Sequence, residues 1–388
     1  MRYKRCYPQR LTGPPSPNTL QIRTMHETPR ILIAGDKGHI AETEMIIGLK
    51  NIGLDICAAY NSDSKEIPKL LAAGVPTKTL NLKRGLDIPK IRLIRKWLKS
   101  DGFNILHGLS NRATTNFLWA SYGQSNKVIA YRGATGHVSR LDPTCYLKWL
   151  NPRLDKIICV SKAVSRDLSK NGVSPKKLTT IYKGHDLSWY AGSHTLTADR
   201  QIRNVFKIPG GATIVGMVAN MRRVKGADVL IRAMEYLPAN IHAVLIGEVR
   251  DPQIPRLVTD LGLEKRVHFT GYRHDAPYLL PAFHINVAPS RGREGLTRTV
   301  IEGMAQGIPA VATTAGGLPE LVADGETGFI VSPDDPVQLA SRLCYLAEHP
   351  TVHQKMARAS KERIASRFHV SQTVSLTAAC YRTVLEAR

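Results

Sequence analysis

Two carboxylates stand eight residues apart in the stretch Glu294-Gly295-Leu296-Thr297-Arg298-Thr299-Val300-Ile301-Glu302. The apolar spacing after Glu294 predicts a helix over 296–307. Carboxylates accept hydrogen bonds from sugar hydroxyls, and the free N–H groups of a first helical turn, here Leu296 to Thr299, bind phosphate. At about 1.5 Å of rise per residue, eight residues span ~12 Å, close to the reach from a sugar ring across a diphosphate to a ribose. Helical side chains lean toward the N-terminus, so Glu302 looks back at the same site. A carboxylate, then anion-binding amides, then a second carboxylate reads as a site for a nucleotide-activated sugar.

Loss of a nucleoside diphosphate leaves charge on the β-phosphate, which a metal or fixed cations must hold. Arg222 and Lys225 follow a strand expected at Thr213–Ala219, with Gly226 and a helix next. Arg223 is the other candidate in that loop. No Asp-x-Asp cluster and no His/Cys spacing suggests a metal, so none is expected. Gly247, after the strand His242–Ile246, lets a ligand approach the backbone. Gly271-Tyr272-Arg273 follows the strand Val267–Thr270.

The block Glu294 to Glu302 is followed by Gly307-Ile308-Pro309-Ala310-Val311-Ala312-Thr313 and Gly316-Gly317-Leu318-Pro319-Glu320. Together they resemble the E-x7-E region of retaining family 4 glycosyltransferases with the GT-B fold. Cys159-Val160-Ser161-Lys162-Ala163-Val164, Gly184-His185-Asp186, and Val218 to Gly226 resemble other segments of that family, in its order. The resemblance covers about residues 29 to 388. It implies that Glu294 contacts donor-sugar hydroxyls, that Glu302 holds the ribose, and that Arg222 and Lys225 take the diphosphate. Leu296 and Thr297 border the donor, the Tyr272 loop meets the base, and the Gly38-His39 loop lies near the diphosphate. Asn220 stands where the family carries its Arg. The family's first-domain histidine falls at Arg132 or His137. Lys183 and His185 replace the family's Asn and hydrophobic residue, which bears on acceptor or sugar preference.

Strands and helices must position these groups. In the first half, strands at Ile31–Ala34, Leu54–Ala59, Phe103–His107, Lys127–Tyr131 and Lys156–Val160 alternate with helices at Thr43–Ile52, Ile88–Ser100 and Ala163–Asn171. The second half repeats the pattern, with further strands at Ile285–Ala288 and Pro309–Thr313. Alternation at this spacing implies parallel sheets covered on both faces. The expected fold is therefore α/β: two doubly wound, Rossmann-like domains facing a cleft, with ligands at the strands' carboxyl ends. The divisions are a loose extension (1–28), an acceptor-side domain (29–190), a linker (191–211), a nucleotide-sugar domain (212–370) and a final helix (371–388). By resemblance, that helix packs back on the first domain.

The chain carries a net charge of +23. Residues 1–200 hold 32 Lys and Arg against 14 Asp and Glu, whereas the remainder hold 22 against 17. A one-sided basic surface suits an anionic partner such as a membrane or acidic acceptor. The alternative is a solvated surface. Helix Ile88–Ser100 concentrates Lys90, Arg92, Arg95, Lys96 and Lys99. No RNA-binding signature accompanies the charge, so no nucleic-acid partner is expected. Six scattered cysteines read as buried reduced thiols and point to the cytosol. The function expected is transfer of a sugar from a nucleotide-diphosphate sugar, without a cofactor, to a glycolipid or glycan. Such work belongs at the inner face of a membrane, as in lipopolysaccharide or surface polysaccharide synthesis. A nucleotide-sugar epimerase and a non-catalytic basic membrane-binding module are the alternatives.

Overall fold

The computed structural model describes residues 29–192 and 195–387. The extension at 1–28, with Cys6, lies outside them. The first domain runs β1 (Arg30–Ala34), α1 (Ile40–Asn51), β2 (Asp55–Tyr60), α2 (Ile67–Ala72), β3 (Thr77–Thr79), α3 (Ile88–Asp101) and β4 (Ile105–Gly108). It continues through α4 (Asn111–Ala120), β5 (Lys127–Arg132), α5 (Pro143–Tyr146), β6 (Lys156–Cys159), α6 (Lys162–Lys170) and β7 (Leu178–Thr180). The second runs α7 (Thr195–Phe206), β8 (Thr213–Val218), α8 (Ala227–Ala233), β9 (Ile241–Ile246), α9 (Gln253–Asp260), β10 (Val267–Gly271) and α10 (Ala276–Leu279). Then come β11 (Ile285–Ala288), α11 (Arg298–Ala305), β12 (Ala310–Thr313), α12 (Leu318–Leu321), β13 (Gly328–Val331), α13 (Pro336–Glu348), α14 (Pro350–Arg367) and α15 (Val370–Glu386).

Among the described residues the strands form two sheets, ordered β3-β2-β1-β4-β5-β6-β7 and β10-β9-β8-β11-β12-β13. The pairings are parallel throughout. The two-residue strand period sorts the core. Leu32 and Ala34 of β1 face α3, α4 and α6. Ile31 and Ile33 face α1 and α15. Strands buried on both faces read as continuous Ile/Val/Ala runs, which is why they were visible in the sequence.

The stretch expected as a linker at 191–211 contains α7, whose Ala198 and Ile202 join a core with Ile214, Val244 and Phe283. Its apolar residues recur at helical spacing amid many polar ones, and tertiary packing fixes what composition obscures. Helix α15 returns to the first domain and lays Val374, Ala378 and Tyr381 on α1 and the sheet. The chain crosses over through residues 184–186. His185 N–H donates to Phe368 O at 2.7 Å and Val370 N–H to His185 O at 3.2 Å. A Cβ on Gly184 would overlap the His369 carbonyl. The Gly184-His185-Asp186 turn is thus where the return segment passes.

Tyr381 also answers a buried polar group, its hydroxyl lying 2.8 Å from His107 Nδ1. Burial pushes His107 down to about 4, so folding favours its neutral ring. That contribution is complete above the ordinary value of 6.5 and is lost as pH falls through about 4. Tyr381→Phe should therefore lower unfolding free energy by about 1–3 kcal/mol by orphaning Nδ1. Wild-type stability, followed by denaturant melts, should fall between about pH 6.5 and 4. A Tyr381→Phe variant as stable as wild type would contradict this account.

Candidate active site

The cleft between the domains receives β8 and β11 at their carboxyl ends. After β8 the chain makes a tight turn at Arg223–Lys225 and reaches Gly226 at φ 70°. A Cβ there would overlap the Pro289 carbonyl, so the glycine lets the turn pack against the loop after β11. The turn delivers Lys225 Nζ to 2.6 Å from Glu294 Oε1. Ser290 Oγ donates to the same oxygen at 2.6 Å, and Thr297 Oγ1 donates to Oε2 at 2.9 Å. Glu294 is 4% exposed, so its charge depends on these three partners.

Thr297 occupies the N-cap of α11, yet its hydroxyl makes no capping bond. It is turned to Glu294 instead. Val300 N–H is taken by the Thr297 carbonyl. The helix therefore starts at Arg298, two residues later than expected, and the amides of Arg298 and Thr299 are its unspent donors. They lie at the positive end of the helix dipole. Asn286 on β11 fixes this turn by donating to Thr299 O at 2.9 Å.

A cavity of about 410 Å³ opens here, lined by Arg222, Lys225, Arg293, Glu294, Thr297 and Arg298, with Gly133 and Ala134 from the first domain. A second cavity of about 430 Å³ adjoins it and shares Val218–Asn220, Arg298 and Thr299. Its walls are Glu302, Gly247, Tyr272 and Arg273 on one side and Gly38, His39 and Glu66 on the other. Gly247 has φ 138°, and a Cβ would overlap the Ala219 carbonyl. Glu302 is buried, and burial raises it to about 7 although Arg298 opposes the shift. Arg298 Nε lies 3.4 Å from its carboxylate.

The expected residues thus divide. Arg222, Lys225, Glu294, Leu296 and Thr297 line the first cavity. Gly38, Gly247, Tyr272 and Glu302 line the second. His137 lines neither; it is exposed, with a left-handed φ of 59°. Arg132 is buried, with its guanidinium 4.7 Å from the Trp149 ring and bonded to Gly136 O. The first-domain wall of the first cavity is instead formed by Gly133 and Ala134. Ser290, Arg293 and Arg298 were not expected. Only their position beside the E-x7-E block pointed to them. Lys183 joins Glu42 at 2.9 Å and His39 at 2.6 Å. Although burial pushes upward, Lys183 and His39 hold Glu42 down to about 2.

Two Rossmann-like domains closing on a paired carboxylate and cation define a GT-B glycosyltransferase framework. Residues 212–349 match the family described as glycosyl transferases group 1, and residues 56–189 match Glycosyltransferase Family 4. The lipopolysaccharide core biosynthesis mannosyltransferase LpcC of Rhizobium leguminosarum bv. viciae is 30% identical over 62% of this chain and 68% of its own. The N-acetyl-alpha-D-glucosaminyl L-malate synthase of Bacillus anthracis is 25% identical over 60% of each chain. Among solved structures, Anabaena Alr3699/HepE in complex with UDP and glucose superposes with a TM-score of 0.76, at 21% identity, covering 92% of this chain and 100% of that one. A Rickettsia africae glycosyltransferase gives 0.78, at 19% identity, covering 94% and 100%. The chain belongs to the family 4 glycosyltransferases. Its matches span about half to two thirds of the length of the curated relatives.

Glu302 yields a prediction that needs no substrate. A carboxyl raised in the fold contributes stability that is complete below its ordinary 4.5 and lost as pH rises through about 7. Glu302→Gln should therefore be more stable than wild type by about 1–3 kcal/mol at pH 8, with the difference shrinking toward pH 5. Denaturant melts at the two pH values measure it. A difference that does not change with pH would mean Glu302 is not desolvated.

Proposed function

We propose that the chain is a retaining, metal-independent glycosyltransferase that moves a sugar from a nucleotide-diphosphate donor to a glycolipid or glycan. The observation that carries this reading is the placement of Glu294 and Glu302 in adjoining cavities with the open start of α11 between them. The sugar lies at Glu294, the diphosphate at the Arg298 and Thr299 amides, and the ribose at Glu302. Lys225 and Arg222 take the charge that develops on the β-phosphate as the glycosidic bond breaks. Glu294 holds Lys225 beside that position and accepts sugar hydroxyls. The retained anomeric configuration is what the family resemblance implies. HepE binds UDP and UDP-glucose, and LpcC is a lipopolysaccharide core mannosyltransferase; both support a nucleotide-sugar donor, and LpcC supports a lipid-linked glycan acceptor.

Glu294→Gln and Lys225→Ala should lower turnover by about 10²–10³-fold, as the loss of one charge-stabilising group typically does. Glu294→Gln keeps an acceptor oxygen and should cost little stability, whereas Lys225→Ala leaves the buried carboxylate without its cation and should cost up to about 3–5 kcal/mol, so both are assayed at a temperature where melts show them folded. A panel of UDP- and GDP-sugars, assayed by nucleotide release with and without a chelator, gives the measurement. Wild-type rates in both variants would remove the proposed site, and abolition of turnover by chelator would remove metal independence.

The acceptor reading extends to the surface. Arg92, Lys96 and Lys99 are exposed on α3, as are Lys83, Arg84, Leu86 and Ile88 just before and at its start. Leu141, Tyr146 and Leu147 are exposed around α5, which packs on the same sheet face. Arg95, expected among the contacts, is engaged: its guanidinium donates to Trp119 O and Ala120 O at 3.2 Å, closing the end of α4. Lys90 is half-buried, and Trp97 packs on the core with Lys78 above its ring. No helix among the described residues is long and apolar enough to cross a membrane. We assign this basic face to peripheral contact with anionic lipid, each residue contributing about 1 kcal/mol, screened by salt. Flotation should capture the protein on anionic but not neutral vesicles, less so as salt rises. Reversing Arg92, Lys96 and Lys99 should release it with donor binding intact. Equal capture on neutral vesicles would contradict the electrostatic account.

A further inference from the structure

Glu320 belongs to α12 in the second domain, but both oxygens of its carboxylate serve the first. Lys162 N–H donates to Oε2 at 2.8 Å and Ala163 N–H to Oε1 at 2.7 Å. These are the first two amides of α6, which its own helix cannot satisfy. The third, Val164, is taken by the Ser161 hydroxyl at 3.2 Å. Tyr182 also donates its hydroxyl to Glu320 Oε2 at 2.9 Å. A carboxylate at a helix's positive end, receiving three hydrogen bonds at 13% side-chain exposure, is a strong arrangement. Its base is held too. Arg363 of α14 donates to Leu321 O at 2.7 Å and Glu320 O at 2.8 Å.

What lies beneath this contact gives it a role. A Cβ on Gly316 would overlap the Glu294 carbonyl, and one on Gly317 would overlap the Gly295 carbonyl and crowd Ser161. A Cβ on Gly295 would in turn overlap the Gly133 carbonyl of the first domain. Thr135 Oγ1 reaches Glu294 O at 3.4 Å. The path from Glu320 to Gly133 thus runs through close backbone approaches, with the Ser161 and Val160 side chains packed against the same glycines. Separating the domains would leave Glu320 and two α6 amides to water and would take Gly133 and Ala134 off the donor cavity.

We propose that Glu320 is an interdomain latch, a positioning residue that acts through Gly316-Gly317 and Glu294-Gly295 to hold the cleft closed over the donor. It joins the Gly-Gly-Leu-Pro-Glu and Cys-Val-Ser-Lys-Ala-Val segments, which the sequence placed in different domains. The proposal rests on the glycosyl-transfer reading for its effect on turnover, but not for its effect on shape. The second-domain wall of the nucleotide cavity, at Glu302, Gly247 and Tyr272, makes no contact with Glu320, so a released latch should leave that wall's hold on the nucleotide in place and remove only the Gly38, His39 and Glu66 side.

Three variants of the full chain test it: Glu320→Ala, Glu320→Gln, which keeps one acceptor oxygen, and Tyr182→Phe, which removes one donor. With saturating UDP, small-angle scattering should show a larger radius of gyration in Glu320→Ala than in wild type. UDP affinity by calorimetry should stay within about twofold, as expected for sites without shared partners. Turnover should fall by roughly 10–100-fold, the cost of a misplaced reacting geometry. The effects should grade from Tyr182→Phe through Glu320→Gln to Glu320→Ala. If Glu320→Ala fails to fold, the other two carry the test. An unchanged radius with wild-type turnover overturns the latch. Loss of UDP affinity in step with thermal stability also overturns it, since that marks a merely structural residue. A wild-type protein inactive on every nucleotide sugar refutes the transfer reading, while the scattering comparison still decides the latch.

Discussion

A buried carboxylate has to be answered by donors, and at Glu294 the answers assemble the whole site. Lys225 comes from the loop after β8, Ser290 from the loop after β11, and Thr297 from the cap of α11. Neighbouring parallel strands bring two of these loops to one edge of the sheet, so the geometry of β8 and β11 fixes the ion pair. The pair adds little net stability, because desolvation offsets the attraction. Its consequence is orientation. It places one cation at a defined point, and it diverts Thr297 from capping, which leaves two helical amides open beside that cation. A capping bond from Thr297 would gain about 1 kcal/mol but would take its hydroxyl away from Glu294.

That diversion explains where sequence reading succeeds and where it stops. The strands were legible because burial on both faces leaves near-continuous Ile/Val/Ala runs. Short edge strands were not: β3 is Thr-Lys-Thr and partly exposed, and β13 is only Gly-Phe-Ile-Val. Helix α4 was missed because its Thr- and Asn-rich sequence carries little propensity; the Ser110 cap and packing of Phe117 and Leu118 decide it. The start of α11 was placed two residues early, since nothing in the sequence says that Thr297 turns to Glu294. The E-x7-E block and the Lys225 loop were legible as types at a spacing. The Gly133 and Ala134 wall was not, because small residues without polar side chains carry no type signal.

The same limit applies to the join between domains. In the sequence Gly295 belongs to the E-x7-E block and Gly316-Gly317 to the Gly-Gly-Leu-Pro-Glu segment. In the folded chain their missing side chains let three backbone segments from two domains stack directly. Leu296 packs against the cores of both domains, and Tyr182 and Leu187 of the first lie against the core of the second. A bidentate carboxylate on helix amides adds directional bonds to that apolar contact. The domains otherwise share α15, whose Tyr381 and Val374 are anchored in the first domain while its start continues from α14 in the second. One connection is covalent and permanent; the other is polar and reversible.

Charge is distributed along the same division. The second domain spends its cations inside the cleft, where Glu302 shows the cost of a site built for a ligand. Burial pushes that carboxyl up to about 7, so without a ligand it sits half-ionised near neutrality. In the proposed binding mode, ribose hydroxyls donating to Glu302 would favour its ionised form, so nucleotide affinity should weaken below that value. The first domain spends its cations on the outside. Its inner titratable cluster of Glu42, Lys183 and His39 is closed on itself, with the carboxylate held down to about 2. His39 of that cluster also lines the second cavity, whereas Arg92, Lys96 and Lys99 remain exposed on α3. On the proposed function, a few desolvated groups in the second domain would read the donor, and many solvated cations on the first would meet a large anionic partner. Each arrangement suits the size of what it binds.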